Sequence, residues 1–222
     1  MCFSATASFT TSAVTGAVGI AAISRTTQAR EIPIAVIPLV FATQQAAEGM
    51  LWLGFAHSWA PSTMLFAANL FVLIALAFWP VWSPLAVGAI ERQHWRRGAM
   101  LALVPIGLAL AAYSTRNVFE YPIAASVVRH SICYTLGETY PVAAVPAYML
   151  CTIAPWILSS ESLLRKIGGI VAIGAAASLA FFYASFVSVW CFFAAATSIG
   201  IYAFFHQRRS AALSAGPAPS IN

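Results

Sequence analysis

Residues 167–205, 39 in all, contain no Asp, Glu, Lys or Arg. As a single α-helix this stretch would be about 58 Å long, nearly twice the roughly 30 Å hydrocarbon core of a bilayer. It must therefore fold back on itself, and the reversal is expected near Tyr183–Ser188, although no Gly or Pro marks it. The rest of the chain has the same character, with apolar runs near 8–24, 32–55, 63–83, 98–114, 141–160, 167–186 and 188–205. Each is close to the roughly 20 residues a membrane-crossing helix needs. The expected architecture is an all-α, polytopic transmembrane bundle of seven helices forming one domain over residues 1–209. The third run stays apolar to Ile90, but Pro80 and Pro84, beside Trp79 and Trp82, predict a kink or an end there. Residues 210–222, rich in Ala, Ser, Pro and Gly, read as a disordered cytoplasmic tail.

Composition excludes the alternatives. Charged residues make up 8% of the 222, against about 25% in soluble domains, so a water-facing surface cannot be built. The same scarcity excludes a disordered chain and a coiled coil, and four cysteines are too few for a disulfide-dense secreted module. The basic residues also sort by side. Alternating spans place Arg25, Arg30, Arg92, Arg96, Arg97, Arg165, Lys166, Arg208 and Arg209 on one face, and only Arg116 and Arg129 on the other. By the positive-inside rule, the N-terminus lies outside and the C-terminus inside. The net charge of +5 then reflects contact with anionic lipid headgroups, not nucleic acid. The first arginine follows the first apolar run, which argues against a cleaved signal peptide. Cys2 precedes that run, so it is not a lipoprotein cysteine.

The segment Gln44-Gln45-Ala46-Ala47-Glu48-Gly49-Met50-Leu51-Trp52 carries the candidate chemistry. Gln44, Glu48 and Trp52 recur at i, i+4 and i+8 and share a helix face, with Gln45 three residues from Glu48. A carboxyl group inside a span costs about 2.5–3.5 kcal/mol even on the lenient insertion scale. Glu48 is therefore expected to face the bundle interior, protonated or paired with a donor. Two readings stand side by side: a functional acid, and a packing knot in which both glutamines donate to Glu48.

The connection 115–140 is the one long link, and loops of that length are often functional. It carries Arg116, Glu120, Arg129, His130, Cys133, Tyr134 and Glu138 around an apolar stretch, Ile123–Val128. A short helix on the outer face would set His130 and Tyr134 on one side, and imidazole titrates near neutral pH. On the same side lie the N-terminal residues and the start of the last helix, including Trp190 and Cys191. These elements are expected to converge on one outward-facing pocket around Glu48.

Several chemistries find no support. Cys2, Cys133 and Cys191 fall outside, where one disulfide among them is permitted, while Cys151 is mid-membrane. There is no C-x-x-C and no paired-histidine spacing; a metal cage would have to draw on Cys2, His130, Cys133, Cys191 and two glutamates, so metal is the minority reading, and the sequence does not tell which cofactor, if any, is bound. If Met1 is removed, Cys2 would become an N-terminal thiol; burial as a small apolar side chain is the simpler reading. A retinal Schiff base needs a lysine in the last helix, whereas the only lysine is Lys166. No Arg-rich helix suits a voltage sensor.

Three stretches carry a resemblance: Met1-Cys2-Phe3-Ser4-Ala5-Thr6-Ala7-Ser8-Phe9, the Gln44-Gln45-x-x-Glu48-Gly49-x-x-Trp52 helix, and Ser188-Val189-Trp190-Cys191-Phe192-Phe193-Ala194-Ala195. Through them the chain, apart from its tail, resembles a family of small bacterial integral-membrane proteins with no assigned activity, which implies a multi-pass protein of the inner membrane. The expected function is to bind or move a small ligand in the Glu48 pocket, with proton exchange at Glu48. Gln44 and Gln45 would orient the carboxyl group, His130 or Tyr134 would gate or pair with it, and Trp190 would form an aromatic wall beside Cys191. Two other classes remain open. One is a membrane enzyme acting on lipid or isoprenoid substrates, with Glu48 or His130 as acid or base. The other is an accessory subunit with partners in a larger membrane complex.

Overall fold

The computed structural model describes residues 4–128, 130–137, 141 and 143–214, without the side chains of 211–213. Seven helical rods follow one another: α1 (Ala5–Ile23), α2 (Ala29–His57), α3 (Pro61–Ile90), α4 (His94–Glu120), α5 (Ala144–Leu158), α6 (Ser162–Phe181) and α7 (Phe186–Ala196 continued by Ser198–Ser214). Six are long and apolar enough to cross a membrane, which points to a multi-pass membrane protein. The exception is α5, whose 15 residues span only about 22 Å against a core of about 30 Å. It is shorter at both ends than the apolar run 141–160.

The proline-rich third rod does not end at Pro80. It continues to Ile90 through a π-helical stretch, Leu73–Phe78. Pro80 has no N–H to offer the carbonyl of Leu76 four residues back. Ser114 Oγ of α4 donates to that carbonyl at 3.2 Å, and Tyr148 Oη of α5 donates to the neighbouring Ala75 carbonyl at 2.5 Å. Side chains from adjacent rods thus satisfy what the proline and the π turn leave open, as backbone buried away from water requires. The Pro80 carbonyl lies against Gly107 of α4, where a Cβ has no room.

The fold-back of the uncharged stretch falls at Phe182–Ser185, a single 3₁₀ turn made without Gly or Pro. At the C-terminal end α7 runs on to Ser214, five residues into the stretch expected as tail. Ala211 and Ala212 are strong helix formers and extend a helix already nucleated. Residues 215–222 lie outside the described residues.

The long link after α4 is not a short helix. It is an antiparallel hairpin, β1 (Ala124–Val128) with β2 (Ser131–Thr135), paired from Ala124↔Thr135 to Val128↔Ser131. β-branched Val127, Val128, Ile132 and Thr135 favour extended backbone. His130, in the turn, has φ 85°, a left-handed conformation that histidine enters more readily than most side chains. The hairpin packs on the α6–α7 turn and on the start of α7.

At the opposite end, contacts join the remaining turns. Glu91 Oε2 accepts from the Ser160 N–H at 2.7 Å, Arg208 pairs with Glu31 at 3.4 Å and Glu161 at 3.9 Å, and Arg209 donates to the Ser24 carbonyl. The nine basic residues of the first sorted set belong to the turns and helix ends gathered here. Apolar packing falls into two clusters, one around Trp79, Trp156 and Phe205 toward this basic end and one around Leu51, Phe71 and Ile132 beneath the hairpin.

Candidate functional site

Gln44, Gln45 and Glu48 of α2 are fully buried, at 0% exposure each, where the two apolar clusters meet. The helix can carry three polar side chains inward because small residues let its neighbours approach. Gly49 faces Phe9 of α1, whose ring would stand 2.9 Å from any Cβ at that position. Ser12 Oγ of α1 donates to the Ala42 carbonyl at 2.8 Å. Ser8, next to Phe9 in α1, is also fully buried.

The glutamines do not hold Glu48. Ser188 Oγ, from the first turns of α7, donates to Glu48 Oε1 at 2.5 Å. Gln44 Oε1 instead accepts from Trp79 Nε1 of α3 at 3.0 Å, and Trp79 stacks on Phe41 with ring centroids 4.3 Å apart. Cys191, one turn beyond Ser188, borders both Gln44 and Glu48. What remains is a set of buried polar atoms with no hydrogen-bond partner among the described residues: Glu48 Oε2, Gln44 Nε2, both polar atoms of Gln45, Trp52 Nε1 and Ser8 Oγ. An orphaned buried polar atom costs about 1–3 kcal/mol. Five of these atoms lie along about two turns of α2, which concentrates that cost on one helix face.

Two cavities flank this strip. Beneath the hairpin lies one of about 410 Å³, walled by Ile132 and Tyr134 of β2, Met149 of α5, Leu179 of α6, and Phe186 and Ser188 of α7. The shortness of α5 helps explain it, since that rod stops about 8 Å short of a full crossing. Toward the basic end lies a second, about 50 Å³, bordered by Trp79, Ser83, Thr152, Trp156, Cys191 and Thr197. It is large enough for one or two waters. Its polar walls are mutually bonded: Trp156 Nε1 donates to Ser83 Oγ at 2.6 Å, and Ser83 Oγ donates to the Thr152 carbonyl at 3.0 Å. Tyr148 and Trp190 border both cavities, their rings edge to face at 5.6 Å. Trp190 is fixed by donation to the Val171 carbonyl at 3.1 Å and by stacking on Phe186.

The expected residues therefore separate into groups. Gln44, Glu48, Trp190 and Cys191 come together, with Gln45 and Trp52 on adjoining turns of α2. Glu48 itself borders neither cavity and stands one hydrogen bond behind Ser188. Tyr134 reaches the larger cavity and stacks on Phe71 at 4.6 Å. His130 does not join it: it is exposed in the hairpin turn, four residues or about 13 Å of strand from Tyr134. Cys133, Cys151 and Cys191 are free thiols. Cys2, Arg129 and Glu138 lie outside the described residues. Ser188, Tyr148, Trp79 and Ser83 are the additions the structure makes. Ser188 was visible only as a polar residue in an apolar run, two positions before Trp190.

The acids near the basic end have different surroundings. Glu91 accepts from the Arg92 and Gln93 N–H groups at 2.9 Å each and from Ser160 N–H. Burial works against its ionisation, but these hydrogen bonds outweigh it and hold the carboxyl below its usual range. Glu31 closes the α1–α2 turn through the Thr27 and Gln28 N–H groups.

No curated protein and no solved structure matches the chain. A family model matches residues 1–216: the chain belongs to a family of unknown function (DUF6629).

Proposed function

We propose that this is a bacterial inner-membrane protein that binds or moves a small ligand through the cavity beneath the hairpin, with Glu48 exchanging a proton as the ligand comes and goes. The observation that carries the reading is the hydrogen bond from Ser188, a wall residue of that cavity, to the buried Glu48. A ligand group that hydrogen-bonds to Ser188 changes the strength of the bond Ser188 donates to Glu48, so occupancy and the state of the carboxyl are linked. The unpartnered atoms of Glu48, Gln45 and Trp52 support a path for water or protons along α2. The basic end is placed in the cytoplasm by the positive-inside rule, which sets the cavity on the outer side.

The test is the native mass of the protein released gently from its own membrane. Wild type is expected to carry a small excess over 23.6 kDa that the folded Glu48→Gln variant loses. An excess of whole chains in both, with no small ligand, would replace this reading with that of an assembly subunit.

A further inference from the structure

We infer that the 410 Å³ cavity takes an uncharged, long-chain amphiphile from the bilayer, its chain in the cavity and a hydrogen-bond-donating head such as a hydroxyl at Ser188. This deepens the ligand-binding reading above and rests on it. Three observations lead to the chemistry. First, among the described residues that line the cavity none is Asp, Glu, Lys, Arg or His. An ion entering would lose its hydration with nothing of opposite charge to receive it, at a cost of several kcal/mol. Second, most of the wall is aliphatic or aromatic, contributed by Leu76, Ile132, Leu136, Met149, Leu179 and Phe186. Such a wall matches an acyl or isoprenoid chain and repels a small polar metabolite. Third, the polar end of the cavity has an acceptor bias. Ser188 spends its hydrogen on Glu48 Oε1, and Glu48 Oε2 behind it has no hydrogen-bond partner among the described residues.

The route of entry follows from the rim. Val145 of α5 and Leu179 of α6 border the cavity while 48% and 38% exposed, and Tyr183 in the α6–α7 turn is 82% exposed. These three stand on the outward flanks of the rods, where a membrane would surround them. A molecule dissolved in the outer half of the bilayer reaches the cavity sideways without crossing water, and a water-borne one does not have that path.

The experiment is equilibrium binding of radiolabelled dodecanol, dodecanoate and dodecylammonium to the full chain in lipid nanodiscs, with empty nanodiscs subtracted. Dodecanol is expected to bind saturably, and both ions at least about 10-fold more weakly. Met149→Trp, which fills the cavity from α5, and Leu179→Trp, which fills it from α6, are each expected to abolish saturable dodecanol binding while thermal unfolding stays cooperative. Having two variants on different helices guards against one failing to fold. The inference is overturned if dodecanol shows no saturable site, if either ion binds as tightly, or if binding survives in the folded filled variants. The two readings fail separately. Saturable dodecanol binding together with a native mass excess unchanged by Glu48→Gln would remove the Glu48 linkage and keep the ligand class. A mass excess lost in Glu48→Gln without a dodecanol site would do the reverse.

Discussion

Glu91 and Glu48 are both withdrawn from solvent, at 5% and 0% exposure, yet their surroundings are opposite. Glu91 receives three backbone N–H groups from two different turns and closes both. Among the described residues, Glu48 receives one hydroxyl on one oxygen, and its other oxygen has no hydrogen-bond partner. A carboxyl whose lone pairs are matched by backbone donors is a structural fastening. A carboxyl left half-matched in the interior, beside other unmatched polar atoms, costs stability that its own contacts do not return. The contrast teaches that burial alone does not separate a structural fastening from a candidate working acid, whereas the matching of the carboxyl's lone pairs does.

The contrast can be broken most directly at Glu91. Glu91→Ala strips the acceptor from three N–H groups and is expected to cost roughly 2–4 kcal/mol, read as a lower midpoint of denaturant unfolding in detergent. The same fastening makes stability depend on pH. The folded-state value of Glu91 lies below its ordinary 4.5, so its contribution is complete above that value and is lost as pH falls through the lower, folded one. Wild type should therefore lose stability on acidification below about 4.5 in a step that Glu91→Gln lacks. An unchanged acid profile in Glu91→Gln would show that the three bonds do not tie the turns together.

At Glu48 the expectation reverses. Glu48→Gln keeps an oxygen for Ser188 to donate to and is expected to shift stability by no more than about 1 kcal/mol, while removing the ligand-linked mass. A loss of several kcal/mol with the mass excess retained would make the Gln44–Glu48 region the packing knot, and the comparison would collapse. The smallest effect belongs to the exposed pair Arg116–Glu120, four apart on α4 at 2.8 Å with side chains 58% and 48% exposed. Glu120→Gln is expected to change the unfolding midpoint by less than the equivalent of about 0.5 kcal/mol.

Much of the candidate site was legible in the chain, but not how it is wired. The i, i+4, i+8 spacing of Gln44, Glu48 and Trp52 puts them on one helix face without further information, and the cost of a carboxyl in a span turns that face inward. The partners were not legible. Ser188 is 140 positions from Glu48, Trp79 is 35 from Gln44, and no local rule selects among the many serines and tryptophans of apolar helices. The expected glutamine–glutamate knot failed for that reason: a neighbour on the same helix is always visible, and a competitor on another helix is not. His130 was misplaced because the stretch was read as a helix. The β-branched density around Val127, Val128 and Ile132 was the signal for a hairpin, which leaves His130 in an exposed turn, separated from Tyr134 by the longer rise of a strand.

By itself, the sequence determined the number of helical rods, the position of the uncharged fold-back, the sorting of basic residues to one end and the inward face of α2. Each follows from a local or one-dimensional quantity: run length against bilayer thickness, helical period, or charge order along the chain. Only the tertiary structure decided that α3 passes through Pro80 by way of a π turn, because Ser114 and Tyr148 on other rods supply the missing donors. Only it decided that a short α5 and a hairpin enclose a cavity, and that Ser188 links this cavity to Glu48. Those outcomes depend on which surfaces meet across the bundle, and shape complementarity between helices far apart in the chain leaves no trace in the order of residues along either one.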